Sequence, residues 1–94
     1  MQPATETKLV LVTRRTRLEE LVARFNTVGQ ARFYVEHLGA DFEDYVREDK
    51  TYHAALSQVT SMLGTLGRVQ VLERTFLTNY LFGPKDIVIT LGQD

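Results

Sequence analysis

Cysteine is missing from this chain. Disulfides, thiolate zinc centres and cysteine nucleophiles are therefore excluded, and a cytoplasmic location is the expectation that fits. Charge of one sign is also missing: 11 basic and 12 acidic side chains leave a net charge of −1. Bulk charge gives no attraction for nucleic acid or a charged membrane surface. No apolar run approaches the roughly 20 residues of a membrane-spanning helix. Residues 1–7 lack the basic segment and apolar core of a signal peptide and read as a frayed lead-in. There is no GxGxxG fingerprint and no P-loop pattern, and no repeat or low-complexity linker. His37 and His53 are the only histidines. They fall on helical stretches without metal-ligand spacing, so they read as helix-surface or boundary residues and no metal site is expected.

What is present is an ordinary globular composition, 44% hydrophobic and 24% charged, over 94 residues, enough for one domain. Lys8-Leu9-Val10-Leu11-Val12-Thr13 predicts a first, central strand. Thr16-Arg17-Leu18-Glu19 is a capping box opening a helix, and Leu18, Leu21, Val22 and Phe25 form its apolar stripe. The stripe loses phase near Asn26-Thr27-Val28-Gly29, where a kink or a second short helix capped by Thr27 is expected, with Gly39 as the stop. Asp41 caps a further helix with Phe42, Tyr45, Tyr52, Leu56, Val59 and Leu63 inward, ending at Gly64 or Gly67. Arg68–Glu73 alternates and reads as an edge strand. Thr75 is expected to cap a short helix with Phe76, Leu77, Tyr80 and Leu81 inward. The final run, Ile87-Val88-Ile89, predicts a strand buried on both faces.

Strands alternating with helices imply a three-layer αβα, Rossmann-like domain with a small parallel sheet in the order 2-1-3. That order sets a switch point between the carboxyl ends of the first and third strands, where ligands of such sheets bind. Two tips meet there. Thr13-Arg14-Arg15-Thr16-Arg17 is read either as a phosphate-contacting loop at a helix N-terminus or as a solvated turn whose arginines cover apolar surface or pair with Glu19 and Glu20. Gly92-Gln93-Asp94 offers a close backbone approach and a carboxylate able to act as base, orient a hydroxyl or help hold a metal. Its alternative is a plain turn with Asp94 as the next helix cap. The acidic cluster Asp41, Glu43, Asp44, Glu48 and Asp49 reads as a solvated helix start. Phe33, Tyr34, Tyr45 and Tyr52 read as core packing. A central strand at the end of the chain implies the front part of a longer protein, since the third strand would otherwise be a bare edge.

Leu91-Gly92-Gln93-Asp94 at a strand tip, with a basic loop after the first strand, resembles the N-terminal domain of the NAD kinase family. That family belongs to a wider group with diacylglycerol and sphingosine kinases and phosphofructokinases, which share a Gly-Gly-Asp-Gly motif in this place. The stretch from Arg24 to Gly39 is similar to the helical insertion of a prokaryotic NAD-kinase-like or sugar-kinase-like subgroup. The resemblance covers most of the chain, but its catalytic motif is only partly present. Gly92 matches the first glycine and Asp94 the catalytic aspartate, while Gln93 replaces the second glycine and occupies space that glycine leaves open to phosphate. The resemblance implies an ATP-dependent phosphotransferase acting on a ribose-like or other hydroxyl, with ATP, Mg²⁺ and NAD as a possible substrate. Asp94 would activate the acceptor, and Gly92, Gln93, Thr13, Arg14 and Arg15 would line the phosphate side. It also implies that residues 1–94 are an N-terminal α/β domain, inactive without a C-terminal β-rich domain that this chain does not contain. Nucleotide substrates and further copies of the chain (a homo-oligomer) are the expected partners, with neither nucleic acid nor membrane. The alternative from another class is a non-catalytic nucleotide-binding or regulatory module.

Overall fold

A computed structural model describes residues 8–91. In chain order the elements are β1 (Lys8–Thr13), α1 (Arg17–Phe25), α2 (Val28–His37), α3 (Phe42–Gly64), β2 (Arg68–Glu73), a 3-10 helix (Arg74–Asn79) and β3 (Ile87–Thr90). The fold is α/β with a three-stranded parallel sheet in the order β2-β1-β3, as the strand compositions predict. Among the described residues no helix is long and apolar enough to cross a membrane. The chain forms two compact units, one containing the sheet and one comprising Arg15–Ala54, with the division falling inside α3.

In the sheet unit β1 is paired on both edges. Leu9 lies opposite Val69 and Ile87, and Leu11 opposite Val71 and Ile89. Every residue from Leu9 to Thr13 is buried, which only a central strand achieves. Leu9 and Leu11 pack with Leu63, and the partly buried Leu56, Val59, Val69, Ile89 and Leu91 close this core. Leu56, Val59 and Leu63 are the end of the α3 stripe, three and four residues apart and so on one helical face. Among the described residues β2 is an edge strand as expected, with Arg68, Gln70 and Val71 exposed.

Two expectations fail in this unit. β3 is not buried on both faces: it pairs with β1 alone among the described residues, and Ile87 and Val88 are each 50% exposed. The burial of a strand depends on what lies beside it, which its own hydropathy does not encode. The segment after β2 does form a short helix, but it is a 3-10 helix that begins at Arg74 without a Thr75 cap, and Phe76 and Leu81 are exposed. Two threonines and an asparagine within six residues are weak α-helix formers, and a 3-10 helix of about two turns is too short to present a long apolar stripe. Past it, the Tyr80 ring meets Phe82 edge-on, with centroids 4.7 Å apart, and lies 5.0 Å from the Lys8 ammonium. The turn into β3 closes when the Gly83 N–H donates to Asp86 Oδ2 at 2.8 Å. The same carboxylate lies 3.9 Å from Lys8 at the start of β1.

In the helical unit α1 and α2 are separate helices. Asn26 ends α1 in the left-handed region (φ 74°), a conformation asparagine tolerates better than most residues. Thr27 then accepts the Gln30 N–H at 3.0 Å and starts α2. Gly39, at φ 85°, ends it. Asp41 accepts the Glu43 N–H at 3.0 Å and starts α3. Ala31, Val35 and Phe42 form the core, with Leu18, Leu21, Val22, Phe25, Tyr34, Tyr45 and Val46 packed around it.

Because Leu11 is fully buried and double-flanked, Leu11→Ala is expected to cost about 2–5 kcal/mol of unfolding free energy. Val88→Ala, half exposed, should cost well under half of that. Urea denaturation of the two variants checks the order, and equal losses would mean that β3 is as enclosed as β1.

Candidate functional site

The parallel order brings the carboxyl ends of the strands to one edge of the sheet. Thr13 closes β1 opposite Glu73, the last residue of β2. Thr13 is buried and Arg14 half-buried, and Arg14 Nε and Glu73 Oε2 are both buried atoms. The Leu91 N–H donates to the Val12 carbonyl at 3.2 Å, so the end of β3 runs beside the end of β1. This is the switch point that the sequence predicts. Of the expected phosphate-side residues, Thr13 and Arg14 stand here. Arg15 is exposed and begins the helical unit. Gly92, Gln93 and the expected catalytic Asp94 lie outside the described residues.

Within the helical unit the polar centre is Thr16. Its N–H donates to Glu19 Oε1 at 2.9 Å, and its Oγ1 accepts the Glu19 N–H at 3.1 Å, which completes the capping box. Its hydroxyl also donates to Asp49 Oδ1 on α3 at 2.6 Å. The Thr16 residue is fully buried, so all of this polarity is satisfied away from water. The capping box was legible in the sequence; the bond to Asp49 was not.

His53 joins the same group. Its Nε2 lies 2.9 Å from Glu19 Oε2 and 3.4 Å from Asp49 Oδ1. Reading His53 as a helix-surface residue therefore captured its exposure and missed its neighbours. A signal was available. Asp49 falls in phase with the inward stripe Phe42, Tyr45, Tyr52 and Leu56, and a carboxylate at an inward position needs a partner. His53 follows it at i+4, on the same helical face.

The rest of the acidic cluster disperses into separate tasks. Asp41 caps α3, Asp44 pairs with Arg47, and Glu48 accepts from Arg17 Nε at 3.0 Å. The hydrogen bond it donates to Glu48 holds the Arg17 guanidinium protonated even more firmly than usual. That guanidinium lies 4.3 Å from the Tyr45 ring centre. Arg17, Tyr45, Glu20, Leu21 and Arg24 line a shallow, open pocket of about 260 Å³. Tyr34, Tyr45 and Tyr52 pack as expected, but Phe33 does not. It is 69% exposed and stacks on His37 at 6.0 Å.

No family model, curated protein or solved structure matches the chain significantly.

Thr16→Val removes the cap and leaves Asp49 without its donor. The expected loss is about 1–2 kcal/mol for the cap alone, with Thr16→Ser retaining most of the stability. Urea denaturation of both variants measures this, and a loss in Thr16→Ser as large as that in Thr16→Val would show that the methyl group matters as much as the hydroxyl.

Proposed function

We propose that the carboxyl edge of the sheet binds phosphate and that the chain is the nucleotide-binding half of an NAD-kinase-like phosphotransferase. In this reading ATP donates its γ-phosphoryl group to a ribose-like or other hydroxyl, and the sheet lies between helices in a three-layer, Rossmann-like arrangement. The observation that carries the reading is the parallel order β2-β1-β3 with Thr13 and Arg14 at the end of its central strand. A hydroxyl and a half-buried guanidinium at that edge suit an anion: the first donates a hydrogen bond, the second donates several and supplies charge. Mg²⁺ would arrive with the ATP phosphates and screen them. Asp94 would orient or deprotonate the acceptor, and Arg15, Gly92 and Gln93 would contribute to the phosphate side. Gln93, standing where the family has its second glycine, favours a second reading, a module that binds nucleotide without transferring phosphate.

Titration calorimetry of the chain with ATP and with NAD tests the binding step. Measurable binding is expected, and Arg14→Ala should weaken it about tenfold, the equivalent of about 1.4 kcal/mol for one charge-assisted contact. No binding of either nucleotide at millimolar concentration would remove the proposal. Phosphoryl transfer by residues 1–94 alone would remove its two-domain part.

A further inference from the structure

We infer that Glu19, Asp49 and His53 form a binding site for a zinc ion, with water completing the coordination. The inference stands independently of the phosphate reading. One imidazole nitrogen and two carboxylate oxygens, one from each residue, lie within 4.8 Å of one another. Zinc bonds to such donors are about 2.0–2.2 Å, which at tetrahedral angles puts donors on the same ion about 3.3–3.6 Å apart. Of the separations from His53 Nε2, the 3.4 Å to Asp49 lies in that range, and the 2.9 Å to Glu19 falls a few tenths of an ångström below it, a gap that a small rotation of these two partly exposed side chains opens.

The donors are also held in place. Asp49 and His53 project from one face of α3, four residues apart. Glu19 spends Oε1 on the Thr16 N–H, which leaves Oε2 turned toward the imidazole. Asp49 Oδ1 is oriented by the buried Thr16 hydroxyl and keeps a second lone pair. Thr16 therefore supplies the outer-shell hydrogen bonds that metal-binding carboxylates need. Coordination through Nε2 places the remaining ring proton on Nδ1.

Charge separates this arrangement from a simple ion pair. Two carboxylates converge on one imidazole, and a protonated ring would neutralise only one of the two negative charges. A divalent ion neutralises both. The donor set selects among ions as well, because imidazole with carboxylate suits zinc, whereas calcium and magnesium take oxygen donors. The His53 and Glu19 side chains are 43% and 39% exposed, so the fourth position opens to water.

Calorimetric titration of the untagged 94-residue chain with zinc chloride, in buffer stripped of metal, is the test. One zinc ion per chain is expected. His53→Ala, Glu19→Gln and Asp49→Asn should each weaken binding more than about tenfold, the lower limit seen when even outer-shell partners are lost. His37→Ala should leave binding unchanged. Calcium and magnesium should not bind at the concentration where zinc saturates. His53 is exposed, so its variant is expected to stay folded, and circular dichroism of each variant confirms this. Absence of zinc binding by the wild type would overturn the proposal. So would equal binding by wild type and His53→Ala, or loss of binding in His37→Ala.

Discussion

A strand with five successive buried residues tolerates only one setting, paired on both edges and shielded on both faces. β1 is that strand, and the sheet unit follows from it. β2 and β3 are fixed as its two flanks. The parallel register then brings the carboxyl ends of all three strands to one edge, with Thr13 and Arg14 at its centre. The switch point is thus a by-product of hiding Leu9, Val10, Leu11 and Val12 from water.

Much of this was legible because it is local. The caps at Thr16, Thr27 and Asp41, the left-handed glycine at Gly39 and the stripe from Phe42 to Leu63 each depend on residues within one or two turns. The rank of the strands was legible too, since β1 carries four successive apolar residues, Leu9 to Val12, and β2 alternates. What escaped depends on neighbours distant in sequence. Ile87 and Val88 read as buried because their composition is that of an inner strand, yet no described strand lies on their far side. Phe33 reads as core for a similar reason, and its neighbours Ala31 and Val35 face inward in its place. The link from Glu19 to His53 joins two helices across more than thirty positions, and no spacing rule reports it. Gly92, Gln93 and Asp94, which carry the resemblance, fall outside the described residues.

Thr16 shows how one small side chain can serve a fold and a site together. As an N-cap it satisfies backbone donors that α1 would otherwise leave open. As a hydroxyl donor it aims a carboxylate of α3. Both tasks need a short side chain with a single rotatable oxygen, which can accept and donate at once. A longer residue would not fit where no surface is exposed.

The position of β1 in the chain also bears on synthesis. β1 leaves the ribosome before the strands that flank it, and all three α-helices are made before β2 begins. At roughly 5–20 residues per second, Leu9–Val12 must wait for seconds before β2 and then β3 can reach them. During that interval the helical segment between Arg15 and Ala54 has already emerged and relies on local contacts, which form quickly. The nascent chain therefore carries the apolar residues of β1 without their flanking strands while the three α-helices are made.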